Sequence, residues 1–210
     1  GFSKDLEKKN TYLYKQKKEF QDMIIATQKK KDNIAEYILY MWQLEDILRA
    51  YKLDINEVQR NIIDQYNQPD DVKQEMREWY DNLIEMMRLE HKEKEGHLQI
   101  IVNTVDDLND LHNELLQTPK EIQYNALFFK TLPFLIEFRN KLKTGPEMHD
   151  IHLSLHALYA ILLLKLQKKE ISQETSVAIQ HISKLLATLS ERYKTWGLEE
   201  ENEETLNKTE

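Results

Sequence analysis

The chain has 210 residues, a formal net charge of −8 and 40% hydrophobic residues, enough for a buried core under a well-solvated surface. It contains no cysteine, which excludes disulfides, a thiolate nucleophile and a cysteine-based zinc site. Its longest apolar run, residues 157–164, falls far below the roughly 20 residues that span a bilayer.

Glycine occurs only at Gly1, Gly96, Gly145 and Gly197, and proline only at Pro69, Pro119, Pro133 and Pro146. Both interrupt regular structure, glycine through backbone entropy and proline through its missing N–H. All but Pro133 fall at a terminus or between runs of helical periodicity. The chain therefore reads as an all-α, single-domain bundle of about seven helices, with short connections and mostly antiparallel neighbours.

Residues 1–26 read as a basic arm, followed by a helical domain over 27–197 and an acidic, disordered tail over 198–210. Met23 opens the better-patterned stretch and is the expected native start. The arm is the one segment whose charge suits RNA or an anionic membrane. Residues 32–196 carry 27 acids against 19 bases, so nucleic acid binding is disfavoured.

From about residues 27–33 to Tyr51 a first helix is expected, and from Ile34 on its apolar residues recur every three or four positions on one face. Asp54 and Glu57 have capping-box spacing before the next helix. Pro69 suits the first turn of a third helix, which fades in the charged run 90–95 and stops at Gly96. A fourth helix uses Leu98 to Leu115. Thr118 and Glu121, with Pro119 between them, form a second capping-box pattern. The helices near 119–143 and 147–168 are apolar nearly all round, which makes them the expected central pair. Ser172 caps the last helix and Gly197 ends it.

Four glycines placed as punctuation leave no phosphate-cradling loop. His149, His152 and His156 align on a helix at metal-ligand spacing, but no matching carboxylate helix completes a site, so a helix edge beside the core is the preferred reading. His112, on an apolar face, reads as a hydrogen-bonded core residue. His97 follows Gly96 and reads as a seal on that turn.

The 33–51 helix has the most unusual polar set: Glu36, Tyr40 and Gln43 opposite the apolar stripe, and Trp42, Glu45, Asp46 and Arg49 along a further edge. A carboxylate pair beside an aromatic can serve acid–base chemistry. The same residues can equally form ion pairs with Arg49 at i, i+3 and i, i+4. Pro133, among Phe128, Phe129, Phe134 and Phe138, is expected to kink or break its helix and marks the first place to look for a pocket.

Several strings are distinctive: residues 33–46, Arg77-Glu78-Trp79-Tyr80, Gly96-His97-Leu98-Gln99, and residues 166–172. Over about Met23 to Trp196 the chain resembles a family of small proteins from Bacteroides-type bacteria described as a domain of unknown function. The resemblance implies a cytoplasmic bacterial setting and a single domain, and it transfers no catalytic role. The leading expectation is a non-enzymatic helical interaction or regulatory module that binds a protein partner or itself. Its candidate contact residues are Glu36, Tyr40, Trp42, Gln43, Glu45, Asp46, Arg49, Arg77, Trp79 and His97. The alternative is a small-ligand binder or enzyme with an interhelical pocket near Pro133 or the Glu36–Asp46 face. No catalytic residue, metal or cofactor is assigned.

Overall fold

The computed structural model describes the backbone of residues 21–207 and the side chains of residues 26–196. Residues 1–20 of the basic arm and residues 208–210 of the acidic tail lie outside the described residues. The fold is all helical. Among the described residues eight α-helices follow one another: α1 Gln21–Asp32, α2 Ile34–Ala50, α3 Ile55–Asn61, α4 Asp70–Leu89, α5 Gln99–Gln117, α6 Ile122–Leu142, α7 Asp150–Leu166 and α8 Gln173–Asn207. A 3₁₀ turn, Ile63–Gln65, follows α3. The eighth helix, beyond the seven expected, is α1, which Asn33 separates from α2.

The boundaries have local causes. Asn33 Oδ1 accepts the Glu36 N–H at 3.1 Å and starts α2. Asp54 Oδ1 accepts the Asn56 N–H at 2.8 Å and caps α3, as expected. Glu57 does not reach back to complete a box; it turns to Arg60 and Asn61. Ser172 Oγ accepts the Thr175 N–H at 3.1 Å at the head of α8. Replacing Asp54 by Ala should cost about 1 kcal/mol, because a seven-residue helix has little else to satisfy its first N–H groups. Urea midpoints of the two proteins read this directly, and equal midpoints would mean that water replaces the carboxylate without loss.

Two expected helix-end signals act differently. The Thr118–Glu121 capping box does not form. Thr118 Oγ1 donates back to the Glu114 carbonyl at 2.8 Å. Glu121 accepts two hydrogen bonds from Arg192, at 2.7 and 2.6 Å, and this guanidinium holds its carboxyl below the usual range. A bidentate charged pair outcompetes a reach back to a backbone N–H. Gly197 does not end α8, which runs through it to Asn207 and takes in most of the stretch expected as a disordered tail. A helix-interior glycine costs about 1 kcal/mol, which a long helix absorbs.

Among the described residues the chain forms two compact units, one made of residues 21–30 with 40–101, the other of residues 31–39 with 102–207. In the first, α3, the 3₁₀ turn and α4 pack together. Its buried side chains include Met41, Leu48, Val58, Ile63, Ile84 and Met87. In the second, α6, α7 and α8 pack on one another. Its buried side chains include Leu108, Phe128, Leu135, Ile151, Leu155, Leu185 and Leu189. Ser190 Oγ accepts the Ala35 N–H at 3.3 Å, satisfying a second donor at the start of α2.

The helix α6 is not buried all round. Tyr124, Phe128, Thr131 and Leu135 are its buried residues, while Ile122 and Phe129 are 73% and 62% exposed. Both kinds of apolar residue look alike in sequence, and only packing separates them. The helix also continues through Pro133 to Leu142, where Lys143 in the left-handed conformation ends it.

Candidate functional site

Within the first unit, the edge of α2 grips the loop between α4 and α5. Glu45 is 1% exposed. Its Oε2 accepts the Leu98 N–H at 2.9 Å, and its Oε1 lies 3.1 Å from His97 Nδ1. A carboxylate offers only acceptors, so His97 presents Nδ1–H to it. The His97 ring stacks on Trp42 at a centroid distance of 4.5 Å and an interplanar angle of 16°. One turn further along α2, Arg49 Nη1 donates to the carbonyls of Lys92 and Gly96, and Nη2 to Asp46 Oδ1. Glu90 supplies the Gln99 N–H with an acceptor at 2.7 Å. Gly96 has φ +87, a conformation that glycine adopts at little cost. Two carboxylates at the N-terminus of α5 and one guanidinium on loop carbonyls match the signs of the groups they meet. This constellation holds a loop.

Beside it in the same unit lies a cleft of about 390 Å³. Tyr40 and Gln43 line it with Tyr51, Tyr66 and Tyr80. Arg77 stands outside that cleft and donates to Gln59 Oε1 and Asn56 Oδ1, tying α4 to α3. Trp79 meets the Tyr80 ring edge-on at 5.0 Å.

In the second unit, His112 is 3% exposed and its Nδ1 lies 2.7 Å from Tyr124 Oη. Burial pushes the imidazole down to about 4, against a smaller upward pull from Asp150, with His149 lowering it further. Burial also raises the Tyr124 phenol. Both are therefore neutral near pH 7 and share one hydrogen bond. A polar depression of about 200 Å³ lies against His112, between Asn109, Asn113, Arg139 and His149. Arg139 is occupied: Nη1 donates to the Gly145 carbonyl at 2.8 Å and Nη2 to Asp150 at 3.0 Å. His149 Nδ1 accepts the His152 N–H and caps α7, which leaves Nε2–H facing Asp106 at 3.5 Å.

The other two faces of α6 carry the remaining features. One closes a largely apolar cavity of about 230 Å³ with α7 and α8, walled by Phe134, Phe138, Ile161 and Ile182. The other is exposed: Ile122, Ala126, Phe129, Pro133 and Ile136 follow at alternating steps of four and three residues. That is the spacing of a coiled-coil seam. Pro133 has no N–H to give the Phe129 carbonyl, and both residues face outward.

A family model described as a domain of unknown function, DUF4924, matches residues 23–201. The chain belongs to this family. No curated protein and no solved structure matches it. Membership in the DUF4924 family carries no activity with it, so the chemistry of this domain rests on its own side chains.

Of the residues singled out in sequence, Trp42, Glu45, Asp46, Arg49 and His97 converge on the loop anchor of the DUF4924 domain. Tyr40 and Gln43 line the tyrosine cleft, Arg77 and Trp79 lie on α4, and Glu36 is exposed near the start of α2. Trp42 does not fit its expected place as an interface anchor. It is 1% exposed and packed on His97, so it cannot serve as one. His97, which has no partner in its local sequence, finds Glu45 fifty-two residues upstream. Of the two expected pairs with Arg49, Asp46–Arg49 forms at 3.0 Å and Glu45–Arg49 does not, because Glu45 turns inward to Leu98 and His97. His149, His152 and His156 do align, with the second and third rings 4.8 Å apart. Among the described residues no group of three or more His, Cys, Asp or Glu is placed to hold a metal ion. No described helix is long and apolar enough to cross a membrane. The exposed seam of α6 escapes a reading of the sequence, although its spacing is visible there, because apolar residues on every side of a helix point to burial on every side.

Proposed function

We propose that this DUF4924 domain is a non-enzymatic helical interaction module that self-associates, two copies packing their α6 seams against each other. The observation that supports it is the exposed run Ile122, Ala126, Phe129, Pro133 and Ile136 at heptad spacing. Isolated surface hydrophobes need no explanation, but a continuous stripe along one helix does. The seam contains no charge, so an identical seam on a second copy matches it chemically, and a two-fold pairing closes on itself. The partner element is a helix because four-three spacing fits knobs into the holes of another helix. Of the expected anchors, Trp42 is buried on His97 and Arg77 is bonded to Gln59 and Asn56, which favours the uncommitted α6 stripe as the contact surface. A reducing bacterial cytoplasm, of Bacteroides type by the sequence resemblance, is the setting we assign to it.

Sedimentation equilibrium at tens of micromolar should give a dimer, and Phe129→Glu should weaken it at least tenfold while the thermal unfolding midpoint of the monomer stays put. A wild-type chain that is strictly monomeric at 100 µM, or a Phe129→Glu variant that still dimerises, would overturn the reading.

A further inference from the structure

The cavity between α6, α7 and α8 is a separate feature from the exposed seam. Its existence has a simple cause. Ala157, Ala160 and Ala178 stand where larger side chains would fill the space between the helices. Phe134 and Phe138 of α6, with Ile161, Leu164 and Ile182, complete an apolar wall. Close-packed interiors hold few voids larger than a water molecule. This one opens partly to solvent; its volume of about 230 Å³ exceeds the ~150 Å³ cavity that holds the six carbons of benzene, and by proportion it takes about nine carbon-sized groups.

The mouth is charged and asymmetric. Glu137, Lys141 and Glu174 sit on it, two acids against one base. Lys141 Nζ pairs with Glu137 Oε1 at 2.8 Å. The hydrogen bond to Glu137, its charge and that of Glu174 all raise the ammonium, so Lys141 stays cationic and is taken up by Glu137. Glu174 makes no hydrogen bond or ion pair among the described residues. The remaining carboxylate sits at the rim of an apolar chamber. A carboxylate headgroup there would meet Glu174 with like charge, whereas an ammonium would meet an available acceptor.

We propose that this cavity binds a hydrophobic amine, its chain of about eight or nine carbons among Phe134, Phe138 and Ile161 and its ammonium on Glu174. The site is independent of self-association through α6, since it uses a different face of that helix.

Calorimetric titration of the full chain with octylamine, octanol and octanoate tests the assignment with one chain length and three headgroups. Octylamine should bind tightest, at least tenfold over octanoate, with octanol between them. Glu174→Gln should lower the affinity for octylamine severalfold and leave octanol unchanged. Ala178→Phe, which fills the chamber without altering the net charge, should abolish binding of all three. Should that variant fail to fold, Ala160→Leu fills the same space with a smaller side chain, and its circular dichroism reports whether the helices persist. Octanoate binding as tightly as octylamine would overturn the proposal. So would unchanged octylamine affinity in a folded cavity-filling variant, or no binding of any of the three up to their solubility.

Discussion

Lowering the pH from 7 to 4 should remove about 3 kcal/mol of folding stability through His112 alone. Unfolded, the ring takes up its proton near 6.5; folded and buried, only at about 4. Between those values the unfolded chain binds more protons than the folded one, so stability rises with pH across this window. The contribution is fully present above 6.5 and is lost progressively as the pH falls toward 4. The gap between 6.5 and about 4, at about 1.36 kcal/mol per pH unit, sets the size. Burial is the main cause, since Phe128 stacks edge-on against the ring at 4.7 Å and only Tyr124 hydrogen-bonds its Nδ1. Urea unfolding at pH 7, 5.5 and 4 reads the effect. His112→Gln keeps a polar partner beside Tyr124 Oη and does not titrate. The variant should therefore lose about 3 kcal/mol less than the parent over the same interval. Every other titrating group is common to both proteins and cancels in the comparison. Parallel stability curves for the two proteins would show that the imidazole is hydrated in the folded state.

Replacing Glu45 by Ala should destabilise the first unit by about 3 kcal/mol. Glu45 is 1% exposed and Leu98 is fully buried, so the Leu98 N–H has no route to water once the carboxylate is gone. A buried donor left without an acceptor costs about 1–3 kcal/mol, and hydrogen bonds to a charged group are the stronger kind. The His97 contact and the packing of the side chain add to the loss. Glu45→Gln keeps one acceptor oxygen and turns an NH₂ on the other donor, so it should lose about half as much. Asp46→Ala is the natural contrast. Asp46 is about half exposed, and without it the largely buried Arg49 still donates to the Lys92 and Gly96 carbonyls, so the loss should be about 1 kcal/mol. Denaturant midpoints of the three variants should fall in the order Asp46→Ala, Glu45→Gln, Glu45→Ala, from highest to lowest. A Glu45→Ala midpoint equal to that of Asp46→Ala would mean that the loop 90–98 does not depend on its buried carboxylate.

Local chemistry is legible in the sequence. Asp54 and Ser172 cap helices because the acceptor and the donor it serves are two or three residues apart. The stripe from Ile34 to Leu48 is buried because its spacing matches the helical repeat. Pro133 itself faces outward, and the cavity that its helix borders is lined by Phe134 and Phe138 instead. The polar set on α2 is also visible as unusual, with its chemistry left open between ion pairs and a site. Such features depend on residues within about two turns of one another.

The partners of the charged and aromatic groups lie much further apart. Glu45 meets Leu98 across 53 residues, and Glu121 meets Arg192 across 71. Each of these carboxylates has a plausible local role, and each leaves it for a better-matched group that folding brings near. Trp42 is core and Phe129 is surface although both belong to apolar-rich helices. Periodicity assigns residues to faces of a helix. Which face is covered depends on where the other helices pass, and that is a balance of long-range packing in which no single short segment holds the information.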